Sequence, residues 1–275
     1  MTERTLIINR KRRGSYYRMD EAHSHEAYEI YYLVFGTRKF FIGDTICYIK
    51  PGDLVVIPKG ELHRTSFDSG STHERIYVYF SENYLEELFE RFGRCQMLEN
   101  LSYPPVQIPP YQREYLENLF GKMEMEYERG DRFSDLLLRD SLTELLVFIM
   151  RCRQSLKQPA LSDMSSVDVR MQEAARYIAR EFRRNLTLGI VAGHMGLSPS
   201  YFSRKFKEAT GFGFKEYLCL VRIRAASSLL LETKRSVTDI AFACGFNDSN
   251  YFGDTFRKMK GVSPSRYRNG RGTFM

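Results

Sequence analysis

The amino-acid sequence predicts an α+β protein: an antiparallel β domain with helices appended, then an all-α domain built from two helix-turn-helix units. Three observations predict it. Short runs rich in β-branched and aromatic residues, punctuated by Gly and Pro, fill Tyr28 to Phe80. A helical period replaces them from Ser81 onward. Between Thr187 and Tyr267 the chain repeats itself at an interval of about fifty residues.

Composition bounds the rest. Of 275 residues, 43% are hydrophobic and 27% charged, an ordinary balance for a globular protein with room for about two domains. No apolar run approaches the ~18 residues of a membrane span, and Met1-Thr-Glu-Arg lacks the apolar core of a signal peptide. A cytoplasmic protein without a membrane partner is expected. Cys47, Cys95, Cys152, Cys219 and Cys244 are scattered and form no CxxC pair; reduced thiols acting as small buried hydrophobes are expected. Net charge is +7, unevenly placed: 19 Lys+Arg against 10 Asp+Glu from Ala160 onward, 22 against 24 before it. A basic half beside a near-neutral half points to one polyanion-binding domain and one that is not.

In chain order, Leu6-Ile-Ile8 is a short apolar run, and the basic cluster Arg10-Lys-Arg-Arg13 reads as a solvated arm, with phosphate contact as the alternative. Strand-like runs follow at Glu29–Phe35, Lys39–Ile42, Thr45–Ile49, Asp53–Ile57 and Arg75–Phe80, with turns at Gly36, Gly43-Asp44, Pro51-Gly52 and Pro58-Lys-Gly60. Close, regular spacing of short strands predicts a sandwich or barrel. Tyr31, Tyr77 and Tyr79 alternate with apolar residues, and Tyr77 and Tyr79 share a face with Arg75. A tyrosine-lined barrel with a few charges suits a small polar ligand such as a sugar.

Two motifs lie in this block, His23-x-His25-xxx-Glu29-x6-Gly36 and Gly52-x5-Pro58-x-Gly60-xx-His63. Together they resemble the paired motifs of the cupin superfamily, a small jelly-roll barrel. The resemblance implies that His23, His25, Glu29 and His63 converge inside the barrel, where metal-binding cupins hold an ion. Three imidazoles and a carboxylate suit Zn²⁺, Mn²⁺ or Fe²⁺. Tyr17 stands where the first motif would open with glycine, and Phe67 where the second would close on a polar residue. In regulators that use this barrel the same positions often hold an organic ligand or nothing. The expected occupant is an effector contacted by His23, His25, Glu29, Tyr31, His63, Tyr77 and Tyr79, with no cofactor. A metal-dependent cupin enzyme using His23, His25, Glu29 and His63 is the alternative.

From Ser81 to Phe92 one helical stripe carries Tyr84, Leu85, Leu88, Phe89 and Phe92, with Ser81 as N-cap. A proline-rich turn leads to two longer helices, about 111–129 and 134–153, whose apolar stripes either cover the barrel or form a dimer seam; dimerisation is the expectation. The Ser-, Gln- and Pro-containing stretch 154–168 reads as a linker. The predicted division is 1–100 for the barrel, 101–153 for the helical dimerisation segment, 154–168 for the linker and 169–270 for the basic domain.

That last domain opens with a predicted helix Val169–Arg183 and then carries the repeat. Ser198-Pro-Ser-Tyr-Phe-Ser-Arg-Lys-Phe-Lys207 leads to Gly211, and Asp248-Ser-Asn-Tyr-Phe-Gly-Asp-Thr-Phe-Arg257 leads to Gly261. Tyr201, Phe202, Phe206 and Tyr217 match Tyr251, Phe252, Phe256 and Tyr267. Thr187, Ser198, Ser236 and Asp248 are placed to cap helices, Pro199 suits a first helical position, and Gly196 and Gly245 make the turns. A helix over Phe214–Glu232 would be roughly 28 Å long at ~1.5 Å per residue, close to the ~34 Å of one DNA turn. It could set two readers into adjacent major-groove windows.

The double unit, the Gly245-Phe246 turn, both Tyr-Phe pairs and Gly261-x-Ser-Pro-x-x-Tyr267 resemble the AraC/XylS family of bacterial transcription regulators, in which a cupin-like effector domain precedes the DNA-binding domain. The resemblance implies a cytoplasmic, homodimeric regulator rather than an enzyme, an activator working with promoter DNA and RNA polymerase under a small-molecule effector, with a sugar as the expected class. By position it implies that Ser200, Ser203 and Arg204 face bases in the first reader, and Ser249, Asn250 and Asp254 in the second. Tyr201, Lys207, Gly253, Arg257 and Lys258 lie on the same outward faces, and Arg222 and Arg224 on the joining helix are expected at phosphates. Arg204 suits guanine and Asn250 adenine. Asp254 departs from the basic residue common at that position, so the second reader is expected to contribute less affinity or to prefer cytosine.

Overall fold

A computed structural model of the protein describes residues 6–14, 25–66, 72–94, 97–98, 105–155 and 164–270. The chain divides into two compact units, Met1–Met164 and Ser165–Met275. Among the described residues no helix is long and apolar enough to cross a membrane.

The first unit is antiparallel β followed by helices. Its strands are β1 (Leu6–Arg13), β2 (Tyr28–Phe35), β3 (Arg38–Ile42), β4 (Thr45–Ile49), β5 (Asp53–Ile57), β6 (His63–Ser66), β7 (His73–Phe80) and β8 (Val106–Gln107). They form a five-stranded sheet of order β1-β7-β2-β5-β8 and a three-stranded sheet of order β4-β3-β6, antiparallel in every pairing described. The two-residue periodicity of the strands sorts their side chains between two cores. Tyr31, Leu33, Val55 and Ile57 of the larger sheet join Phe40, Ile42, Cys47 and Ile49 of the smaller in one buried cluster. Ile30, Tyr32, Leu54, Val56, Ile76 and Val78 point the other way, onto helices α2 (Pro110–Arg129) and α3 (Ser134–Ser155). Leu116, Phe120, Leu142 and Leu146 of that pair are fully buried there, so its apolar stripes cover the larger sheet.

Three expectations about this unit are corrected. The basic cluster Arg10-Lys-Arg-Arg13 is not a solvated arm but the end of edge strand β1, paired with β7 from Leu6–Phe80 to Arg13–His73. Leu6 and Ile8 are buried in the helix-facing core, and Arg10 Nε meets Glu74 Oε1 at 2.6 Å. Ser81 stands at the N-cap of a 3₁₀ turn only, and its side chain makes no capping bond: the hydroxyl donates to Asn83 Oδ1 instead. The stripe it was to open is broken into a 3₁₀ turn, Glu82–Tyr84, and a short helix α1, Glu86–Phe92. Within the proline-rich stretch, Val106 and Gln107 pair with Leu54 and Asp53 as β8.

The second unit is all helical: α4 (Ser166–Glu181), α5 (Leu188–His194), α6 (Pro199–Thr210), α7 (Phe214–Glu232), α8 (Val237–Ala243), α9 (Ser249–Lys260) and α10 (Pro264–Arg268). Helix α4 starts before Val169 because the Ser165 side chain accepts from Asp168 N. Thr187, Ser198, Ser236 and Asp248 all cap as the sequence indicates, each accepting from a first-turn amide. The aromatic matches pack alike. Phe202 and Phe206 are 5.3 Å apart and Tyr217 meets Phe206 at 5.5 Å; Phe252 and Phe256 are 5.6 Å apart and Tyr267 meets Phe256 at 5.3 Å.

Candidate effector site and nucleic-acid interface

Strand register brings the predicted effector residues together between the two sheets. Glu29 lies opposite Tyr79, Tyr31 opposite Tyr77, and Leu33 opposite Arg75, all on the face that meets the smaller sheet. His63 opens β6 on that smaller sheet, paired with Ile42. His25 precedes β2. Glu29 Oε2 sits 3.2 Å from His25 Nε2 and 3.4 Å from His63 Nε2. The His25 ring is 5.0 Å from the rings of both His63 and Tyr79, and Tyr79 is 5.2 Å from Tyr77. His23 lies outside the described residues.

The local chemistry is set by backbone. His25 Nδ1 lies 2.7 Å from Ala27 O and His63 Nδ1 2.9 Å from Glu61 O, so each Nδ1–H donates to a carbonyl and each Nε2 turns toward Glu29. Burial alone would raise the Glu29 carboxyl, but hydrogen bonds from His25 and His63 outweigh it and hold it down at about 2. Two imidazole nitrogens and one carboxylate oxygen lie within 4.8 Å of one another. Carbonyl-oriented histidines of this kind can also turn Nε2 lone pairs on a divalent transition cation, and His25, Glu29 and His63 are the three side chains that would hold it.

Arg75 belongs to this face although no motif includes it; alternation with Tyr77 and Tyr79 is the signal that places it. Its guanidinium lies 5.3 Å from the Tyr31 ring and 5.1 Å from that of Tyr77. Nearby, Arg38 is fully buried and donates to Thr65 Oγ1 at 3.1 Å. Burial, with Arg38, Arg75 and Arg13 close by, lowers buried His73 to about 4.

On the second unit, the buried Phe202 and Phe206 turn the opposite face of α6 outward. Ser200, Tyr201, Arg204 and Lys207 are exposed and Ser203 is half-buried; the Arg204 guanidinium rests 5.9 Å over the Tyr201 ring. Phe252 and Phe256 orient α9 likewise. Asn250, Asp254, Arg257 and Lys258 are exposed, Ser249 and Gly253 half-buried. Arg224 on α7 is exposed. Arg222 is not available as expected: it is half-buried and gives Nε to Phe182 O and Nη2 to Arg184 O, both at 2.9 Å. Burial pushes its pKa down.

Two family models match the chain. An AraC-like ligand binding domain matches residues 10–146, and a helix-turn-helix domain residues 191–270. Among similar proteins, the arabinose operon regulatory protein of Escherichia coli is 28% identical over 230 residues, 80% of this chain and 73% of that one. The HTH-type transcriptional activator RhaR of Mannheimia succiniciproducens is 26% identical over 247 residues, 90% of this chain and 86% of that one. The regulatory protein PocR of Salmonella typhimurium is 33% identical over 161 residues, 56% of this chain and 53% of that one.

Proposed function

This chain belongs to the AraC family of DNA-binding transcription regulators, with a ligand-binding domain ahead of its helix-turn-helix domain, and from that premise we propose that a small polar effector held between its two sheets controls binding to a two-element promoter site. The family is one of regulators and not of enzymes, which sets the metal-dependent enzyme aside. The observation that carries the reading is the pair of solvent-facing helices α6 and α9, built on matching caps and aromatic pairs and joined by the 19-residue α7. Each reader is a helix of 12 residues, long enough to lie in a major groove.

In the proposed division, a cupin-like barrel over 1–100 senses the effector, 101–153 dimerises, 154–168 links, and 169–270 binds DNA. Ser200, Tyr201, Ser203, Arg204 and Lys207 form the first reading face; Ser249, Asn250, Gly253, Asp254, Arg257 and Lys258 form the second, with Arg224 at a phosphate. His25, Glu29, Tyr31, His63, Tyr77 and Tyr79 hold the effector. Imidazoles, a carboxylate and phenols in one buried site match the hydroxyls of a sugar, and one relative is named for an arabinose operon. The outer groove of α2 and α3, lined by Tyr111, Tyr115, Glu144, Val147, Phe148 and Arg151, supports a homodimer contact. The protein acts in the cytoplasm on RNA polymerase at promoters, as an activator; a relative is named as one.

Selection of duplexes from a randomised pool by the full-length protein, followed by anisotropy titration with and without a panel of sugars, tests this. The expected result is a two-element site bound in a salt-dependent, competitor-resistant manner whose affinity shifts with one effector. No enriched duplex at any salt concentration would sink the reading.

A further inference from the structure

Arg222 lies near the middle of α7, yet its guanidinium serves a different helix. Of the two carbonyls it bridges, Phe182 is the C-cap of α4 and Arg184 lies in the turn just after it. A helix end leaves carbonyls without intrahelical donors, and a planar guanidinium can satisfy two of them from one side. The same group lies 5.8 Å over the ring of Phe246, which closes the turn of the second reader unit. Gly245, the residue before it, also abuts this helix end: a Cβ there would come within 2.7 Å of Phe182 O and 2.9 Å of Arg183 O. The end of α4, the middle of α7 and the turn between α8 and α9 therefore meet at one side chain.

The second unit has an internal counterpart. Arg268 on α10 gives Nε to Leu230 O at 3.3 Å and Nη2 to Arg235 O at 2.5 Å, bridging the last turn of α7 and the link that follows it. In each unit, an arginine from the helix after the reader ties off the helix before it. Arg222 differs in reaching across the repeat. Tyr217 already ties α7 to α4, its hydroxyl donating to Ala175 O at 3.5 Å, so α4 and α7 form one block. Along α7 the second reader unit packs on Ile223, Ala226 and Leu230, in the C-terminal half of the helix. The contact of Phe246 and Gly245 with Arg222 and the α4 carbonyls is a second point of attachment.

We propose that Arg222 is a positioning residue, not a phosphate contact: it fixes the second reader against the first and so sets the spacing of the two DNA elements the chain accepts. The proposal rests on the two-element reading above.

The test uses the full-length protein and a duplex it selects from a randomised pool, with variants carrying a few base pairs inserted between the elements or one element scrambled. Wild type is expected to lose about tenfold in affinity or more on insertion, because two linked readers bind together only where their geometry fits. Arg222→Ala is expected to bind the native duplex about tenfold more weakly, to stay within about twofold of wild type on the one-element duplex, and to lose its preference for native spacing. Arg222→Lys keeps the charge but offers its donors from one nitrogen rather than from a planar fork spanning Nε and Nη2, so it should behave like the alanine variant; if Arg222→Ala lacks a cooperative melt, Arg222→Lys carries the test. Retained spacing preference in the variants would overturn the proposal. So would uniform weakening on all duplexes, relieved in Arg222→Lys, with the salt slope of Arg222→Ala reduced by about one, the mark of a lost phosphate contact. Failure of wild type to select any duplex would instead remove the DNA-binding reading itself.

Discussion

The carboxylate of Glu29 lies 3.4 Å from Nε2 of His63, and the two side chains come from opposite sheets of the first unit. Both are buried, so their contact holds the layers in register at the place where an effector would sit. Glu29→Gln keeps the shape and removes the charge. It is expected to destabilise the first unit by about 1–3 kcal/mol, the range for losing hydrogen bonds to a buried charged group. The sign with pH follows from a folded-state value of about 2, below the ordinary 4.5. The contribution is complete above 4.5 and is lost as pH falls toward 2. Calorimetric melts of wild type and Glu29→Gln should therefore converge on acidification, and a constant gap would contradict this account.

His73 works in the neighbouring window. Its folded-state value is about 4 against an ordinary 6.5, through burial first and then Arg38, Arg75 and Arg13. The unfolded chain takes up a proton there before the folded one does, so stability is complete above 6.5 and declines as pH falls toward 4. The decline should reach about 3 kcal/mol at pH 4, because each tenfold difference in proton affinity between the two states is worth ~1.4 kcal/mol. His73→Gln, which cannot titrate, should flatten the dependence of melting on pH between 6.5 and 4.5. An unchanged slope would mean that His73 charges equally in both states.

The two readers should differ in measurable ways. Arg204 and Asp254 hold matching positions on α6 and α9, both exposed. Arg204→Ala is expected to cost ~1–3 kcal/mol of specific binding and to relax preference at one base position. Asp254→Arg should strengthen binding to all duplexes and steepen the salt dependence by about one unit, because a repelling carboxylate is exchanged for a phosphate-binding cation. Anisotropy titrations across a salt series read both. Equal losses at Arg204→Ala and Asp254→Ala would argue that the second reader grips DNA as firmly as the first.

What could be read in advance follows the range of the interactions. Caps, turns and the Tyr-Phe pairs of the repeat depend on residues a few positions apart, and Thr187, Ser198, Ser236 and Asp248 cap as read. Strands β2 to β5 carry enough β-branched and aromatic residues to announce themselves. Strand β1 does not: only Leu6 and Ile8 alternate inward before Arg10 to Arg13, and contiguous charge masks an edge strand whose partner is β7. Strand β6, His63-Arg-Thr-Ser66, has one β-branched residue and forms through its pairing with β3. His63 was legible from its motif, while the contact that makes it a bridge to Glu29 depends on sheet packing. Arg222 is the clearest limit. A cation on a helix is visible in sequence, but the carbonyls that capture it lie about forty residues away.

Glycines in the second unit give a last test in which the sign changes between two positions. Gly245 has φ of 83°, where a side chain is strained, and its missing Cβ is what lets Phe182 O and Arg183 O approach. Main-chain oxygens at a helix end cannot swing aside, so Gly245→Ala must move the turn off α4. A destabilisation of about 2–4 kcal/mol is expected from positive φ and the clash together. Gly193 sits inside α5 with nothing within 4 Å of an added Cβ. Gly193→Ala should stabilise by up to about 1 kcal/mol through helix propensity alone. Urea unfolding followed by circular dichroism reads both. If Gly245→Ala folds, it should also share the loosened element spacing expected of Arg222→Ala, because both changes release the second reader from the same helix end, whereas Gly193→Ala should leave spacing preference intact. A folded Gly245→Ala protein with wild-type spacing preference would show that α7 alone holds the two readers in place.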